Sequence, residues 1–385
     1  MRKRLFPILL VVAVAGSVHP GHASDGPAVS LTVAGDQQVL YEWNRQRCDD
    51  EQIPDSPARA FRRADGEIVL IATHRTNWAL IGSDFASLRP SCETLLRGTD
   101  YPAGTGKLWI QATYTYDGKN VAALVSQDLA IESRQAGCDP AGRIGKCWLN
   151  KILAARSSDM GRSFDLFAPK DRVVVSLSDR YPEGADRRYG AFTTTNIVRK
   201  DDAFYTIVYM QGSDQAASGN CLFRTSDPMD AGGWRALSLT GFDVDVKSDE
   251  DARRCVKLPH LGFEARSLAY SAKHGVWIAV LAGRFQLAGD DRPVAGFYAS
   301  TSPDLKAWSK VARIMRAPIK PREERPDQYW YYPSLIDPDS TSANFDTIDG
   351  DTAVLLFTVG HLRNGRGTMN RDLQYVPVRL EASVP

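Results

Sequence analysis

The stretch Ser157-Ser158-Asp159-Met160-Gly161-Arg162-Ser163-Phe164 follows a strongly apolar run and carries the turn signal on which the architecture rests. An Asp placed two residues after a Ser accepts backbone N–H groups inside a tight turn. The aromatic that follows can then pack on a neighbouring sheet. The same signal returns as Gly82-Ser83-Asp84, Thr225-Ser226-Asp227 (with Trp234 beyond it) and Thr301-Ser302-Pro303-Asp304-Leu305-Lys306-Ala307-Trp308, with a weaker copy at Asn370-Arg371-Asp372. These turns read as structural rather than catalytic.

Before each turn stand short β-rich runs bounded by Gly, Pro, Asp and Asn, while helix-period patterns are scarce. Paired runs occur at 58–61 and 67–73, 108–114 and 120–126, 194–199 and 203–210, 265–270 and 276–282, and 332–336 and 352–358. Five copies of strand, strand, strand, turn and strand imply an all-β chain folded as a five-bladed β-propeller. Repeats start near residues 57, 108, 190, 263 and 331, with loops inserted at 129–147, 165–189 and 241–262. The fifth repeat ends on its third strand, 374–380, so the N-terminal segment Val29–Val33 is expected to supply the fourth and close the ring.

Composition agrees with a globular protein: 385 residues, 43% hydrophobic and 24% charged. A net charge of +1 gives no basic excess for phosphate contacts, so nucleic acid is not an expected partner. Arg2, Lys3 and Arg4 precede an apolar run, and Gly21-His22-Ala23 offers a cleavage site. This reads as a signal peptide over 1–23, leaving a single propeller domain over 24–385, periplasmic or secreted and without stable membrane insertion. Removing the three cations takes the net charge to −2. Six cysteines remain, an even count suited to disulfides in an exported chain. Connectivity stays open; sequence neighbours suggest Cys48–Cys92, Cys138–Cys147 and Cys221–Cys255. No C-x-x-C pair supports zinc, and no metal is expected.

Residues 157–164 resemble the Asp box of sialidase-like propellers, and the five-repeat count resembles the five-bladed furanosidase group of arabinanases, β-xylosidases and fructosidases. Tyr189-Gly190-Ala191-Phe192, Asn196-Ile197-Val198-Arg199-Lys200 and the segment 332–340 are similar to exported bacterial propellers. The resemblance implies carbohydrate-active ancestry, and a base Asp before the first blade. The sialidase-type Arg-Ile-Pro opening is absent, with Ala58-Arg59-Ala60 in its place. The acid Glu that the furanosidase group carries near its third inner strand is also missing; Phe192-Thr193-Thr194-Thr195-Asn196 stands there.

In a propeller the inner strands line the central channel, so remote positions can meet. Glycoside cleavage typically needs two carboxyl groups. Asp55, fixed between Pro54 and Pro57 ahead of the first inner strand, is the candidate base, and an Asx turn is its plain structural alternative. Glu264, opening the fourth inner strand, is the candidate acid. Arg266, two residues on, shares its strand face and would lower its pKa if close, which favours a simple salt bridge. Arg59, Asn196, Arg266, Tyr332 and His74 are candidate substrate ligands, with Tyr329, Trp330, Tyr331 and Trp109 as a stacking platform. The acidic loop holding Asp337, Asp339, Asp346, Asp349 and Asp351 lacks a calcium-loop pattern and reads as solvated. The expectation is a monomeric glycoside hydrolase-like protein needing no cofactor. Two rivals stand beside it: a non-catalytic carbohydrate-binding propeller, and a lyase or sialidase-like enzyme on an acidic sugar.

Overall fold

The computed structural model describes residues 26–98, 106–130, 148–182, 185, 187–319 and 327–383. The chain is nearly all β. Its two α-helices among the described residues are single turns or little more, Trp43–Gln46 and Asp249–Arg254. No described helix is long and apolar enough to cross a membrane.

Strand pairing divides the chain into successive antiparallel units. The first runs Arg59–Arg62, Ile68–Ile71, Ala79–Gly82 and Arg89–Pro90. The second runs Lys107–Thr115, Val121–Ala130 and Trp148–Ser157, with Asp165–Leu166 and Val173–Val175 both on the last of these. Tyr189–Thr194, Ala203–Gln211, Gly219–Thr225 and Arg235–Leu237 form the third, which joins the second through a short parallel contact, Tyr189 beside Leu149 and Gly190 beside Asn150. The fourth is Ala265–Ser271, Val276–Phe285, Val294–Ser302 and Ala312–Arg316. In the fifth, Gln328–Ile336, Thr352–Arg363 and Arg366–Ala382 are completed by Val29–Val33, paired antiparallel from Val29 opposite Ala382 to Val33 opposite Val378.

The apolar runs are continuous because both faces of each unit are covered. Successive side chains on a strand point to opposite faces. Ile68 and Leu70 enter a core shared with the fifth unit, whereas Val69 and Ile71 enter one shared with the second. Ala353, Leu355 and Phe357 pack towards the fourth unit, and Val354 and Leu356 towards the first. Five separate cores result, one between each successive pair of units and one between the fifth and the first.

Asparagines stitch neighbouring units by imitating a peptide group. Asn77 donates to Leu96 O and Leu108 O, both at 2.9 Å, and accepts from Ile110 N at 2.8 Å. Asn220 does the same to Leu261 O, Phe263 O and Ala265 N.

The Asp turns have the expected chemistry. Asp159 Oδ1 accepts from the backbone of Arg162 and Ser163, each at 3.0 Å, and Phe164 is buried in the core between units one and two. Gly161 has φ +74°, and a Cβ there would meet the Phe61 ring at 2.4 Å, so only glycine fits. The weaker copy at 370–372 is no turn. Arg371 and Asp372 lie inside the long strand Arg366–Ala382, because the hairpin reverses earlier, at Asn364 and Gly365. Disulfides join Cys48 to Cys92 and Cys221 to Cys255. The expected Cys138–Cys147 bridge and the signal segment 1–23 lie outside the described residues.

Candidate active site

A cavity of about 450 Å³ opens on lining residues drawn from all five units. Asp55 precedes the first inner strand. The second unit gives Trp109, Gln111, Ser126, Asp128, Trp148 and Asn150, and the third gives Arg188, Phe192 and Thr193. Arg266 comes from the fourth, and Tyr329, Tyr331, Tyr332 and Arg371 from the fifth. This is the size and make-up of a small-ligand site: aromatic walls with a few convergent polar groups.

Asp55 is oriented by its own backbone, whose N–H donates to Thr73 O at 3.1 Å, and its Oδ1 takes a short contact from Arg371 Nη1. His74 stands behind it, with Nε2 3.8 Å from Asp55 Oδ2 and Nδ1 3.0 Å from Glu51. Burial lowers the pKa of His74, against the pull of Asp55 and Glu51. Its ring meets Trp109 edge-on at 5.7 Å. His74 therefore backs the cavity wall.

Asp128 is the carboxylate that sequence reading missed. It sits near the end of the second strand of its unit, where only inner strands were expected to reach the channel. It is part-buried by surface exposure yet deeply surrounded by protein atoms. Burial pushes its carboxyl up to about 7; the charge of Asp55 adds to this, and Arg188 opposes it. Asn150 and Ser126 donate to its Oδ1. A lone Asp in the apolar strand Val121–Ala130 was the available signal. Arg371 carries no such signal, because residues 370–372 read from sequence as a turn and lie instead inside the strand Arg366–Ala382.

Tyr332 lines the cavity with φ +58°, a conformation that bulky residues rarely adopt. The strand register shifts between Tyr331 and Ser334, and this bulge aims consecutive tyrosines at the cavity. Burial raises the Tyr332 hydroxyl pKa. Tyr329 and Tyr331 stack at 4.7 Å. Trp330, expected in the stacking platform, faces the core instead and stacks on Phe357 at 4.9 Å, since its side chain alternates away from its tyrosine neighbours.

Three expected site residues do other work. Glu264 is not among the lining residues. Both its oxygens are taken, one by Arg266 Nη2 and the other by Arg188 Nη2 at 3.1 Å, so the expected acid is a salt-bridge residue that holds two cavity arginines. Asn196 bonds the fourth unit, with Nδ2 donating to Leu268 O at 2.6 Å and Oδ1 accepting from Leu268 N at 2.9 Å. Arg59 is fully spoken for. Its Nε donates to Gln111 O, its Nη1 to Ala58 O and Ser334 Oγ, and its Nη2 to Thr194 O and Arg266 O, all between 2.7 and 3.2 Å. Five donors meet one acceptor from each unit, which exhausts a guanidinium. Beyond Arg59 lies a gap of about 10 Å³, roughly one water. Arg59 thus ties the five units together at one point and has no donor left over for a ligand.

Among the described residues no group of acidic, His or Cys side chains is arranged to hold a metal ion.

No family model matches the chain, and no curated protein is significantly similar to it. Solved structures do resemble it. The catalytic domain of a GH62 α-L-arabinofuranosidase from Coprinopsis cinerea aligns at TM-score 0.50 and 12% identity, covering 92% of this chain and 98% of that one. An α-L-arabinofuranosidase from Podospora anserina in complex with cellotriose aligns at TM-score 0.49 and 13% identity, covering 92% and 99%. An α-L-arabinanase from Cellvibrio cellulosa complexed with arabinohexaose aligns at 0.47 and 10%, covering 84% and 91%. The likeness is one of architecture: the chain has a glycosidase-like propeller fold.

Proposed function

We propose that the chain is an exported, single-domain, five-bladed propeller that cleaves a glycosidic bond in an oligo- or polysaccharide. Five units with five shared cores, the last joining the fifth to the first, support the closed ring. Two disulfides support an oxidising compartment. The observation that carries the activity is a pair of carboxyl groups in one cavity held in opposite environments. Burial lifts Asp128 to about 7, so a large share of it still carries its proton as pH approaches neutrality, while Arg371 clamps Asp55. One carboxyl is buried without a paired cation and the other is paired with one, a difference in surroundings suited to separate acid and base roles. Asp128 gives its proton to the leaving glycosidic oxygen as the C–O bond breaks. Water attacks the anomeric carbon, and Asp55 takes its proton. Trp109, Trp148 and the stacked tyrosines offer faces for the C–H surfaces of sugar rings.

The test is release of reducing ends from a panel of arabino-, xylo- and uronate-containing oligosaccharides. Asp128→Asn and Asp55→Asn should each lower kcat by at least about 100-fold with the fold retained. Wild-type activity should decline as pH rises through about 7, where Asp128 loses its proton. Unchanged turnover in Asp128→Asn overturns its role. One observation favours a non-catalytic carbohydrate-binding propeller: an arginine already occupies Asp55. Glycan binding without turnover across the panel would select that reading.

A further inference from the structure

The cavity carries more guanidinium groups than its carboxylates neutralise. Arg371 is matched by Asp55. Arg188 and Arg266 share one carboxylate, Glu264. The remaining acid, Asp128, is bonded to Ser126 and Asn150 and makes no direct ion pair with an arginine, and although the charge of Arg188 reaches it, burial keeps it largely protonated below about 7. Glu264 occupies one Nη2 on each of Arg188 and Arg266. Among the described residues no protein acceptor takes their other donors, in contrast to Arg59, whose five donors are all used.

The two guanidiniums are also held flat and ready. The Arg188 guanidinium carbon lies 4.0 Å from the centre of the Phe192 ring, and that of Arg266 lies 5.2 Å from the centre of the Tyr332 ring. Ring faces favour a cation in this position. A planar fork fixed by a ring on one side and by Glu264 on one nitrogen loses little freedom on binding an anion.

We infer, on the reading that this cavity binds carbohydrate, that its glycan carries a carboxylate, a uronic acid unit seated between Arg188 and Arg266. Paired N–H donors of arginine match the two oxygens of a carboxylate. One acid on the ligand also restores the charge balance that Glu264 leaves incomplete. Burial works in the same direction: it lowers Arg266 to about 10, a cost that an arriving anion would relieve.

Calorimetric titration of the full mature chain tests this with trigalacturonate and a glucuronate-bearing xylo-oligosaccharide, each against its carboxyl-reduced neutral form. At least one uronate should bind at least about tenfold more tightly than its reduced form, with the advantage shrinking as salt is raised. Arg188→Gln should close the gap between charged and neutral forms, and Arg188→Lys should keep part of it. If Arg188→Gln does not fold, the salt dependence of the wild type decides: a uronate affinity as insensitive to salt as that of the neutral form overturns the inference. Equal binding of charged and neutral forms also overturns it and leaves the carbohydrate reading intact. Binding of neither, across the neutral arabino- and xylo-oligosaccharides as well, removes the carbohydrate reading itself. A sulfated neutral oligosaccharide that matches the uronates would replace the carboxylate with a sulfate ester and so overturn the assignment.

Discussion

Arg59 and Arg266 are neighbours, close enough for Arg59 to donate to the backbone of Arg266 at 2.7 Å, yet they have opposite employment. Arg59 spends every donor on the protein, one acceptor from each of five units. Arg266 spends one on Glu264 and faces the cavity with the rest. Burial lowers both pKa values, Arg59 to about 9 and Arg266 to about 10. Hydrogen-bond completeness, rather than burial or charge, separates a structural arginine from one with donors left for a ligand.

The sharpest way to break this contrast is Arg59→Met. It leaves several buried acceptors unpaired at the centre of the molecule, and the loss of stability should reach at least about 3 kcal/mol in urea denaturation. Arg266→Met should cost far less and act on ligand binding instead. If the two variants were equally stable, the knot would be no more structural than the cavity wall.

Asp128→Asn comes next. The folded value of about 7 stands above the unfolded value of 3.8, so the native state holds the extra proton. The contribution of Asp128 to stability should therefore be greatest below about pH 4, fall as pH rises towards 7, and then level off, opposite in sign to that of the carboxylates whose pKa values are lowered. Asn carries no such penalty. The full shift corresponds to about 4 kcal/mol, and because the carboxyl is part-exposed the variant should gain roughly half of that relative to wild type between pH 4 and pH 8, read as a widening difference in Tm. A gap that does not change with pH would show that Asp128 is no strained acid.

The smallest effect belongs to His361, whose Nε2 lies 2.7 Å from Asp372 Oδ2 and whose pKa that bond raises. Its contribution is complete below 6.5 and is lost as pH climbs through the raised value. The pair is partly exposed, so His361→Gln should remove under about 1 kcal/mol of stability at pH 6 and almost none at pH 9. An equal loss at both pH values would mean that the imidazole only fills space.

Much of the architecture was legible locally. Each Asp turn is built from side chains within a few residues of one another, and alternating burial on both faces makes each strand a recognisable apolar run. The site was legible only in part. Asp55 could be singled out because prolines flank it before an inner strand. Glu264 carried a local warning in Arg266, two residues on, but nothing local told that Arg188 of another unit would take its second oxygen, or that five units would consume the donors of Arg59. Asp128 and Arg371 were hidden for a related reason: they sit on the second and third strands of their units, and only the packed structure brings those strands to the cavity.

The order of strands, the turn chemistry and the pairing of the first strand with the last follow from hydrophobic period and short-range hydrogen bonding, which any stretch of chain carries within itself. Which polar groups are spent and which are left over is a property of distant partners. Arg59 became a knot and Arg266 a cavity wall only when five units converged, because a side chain's free donors are defined by the acceptors that surround it in space.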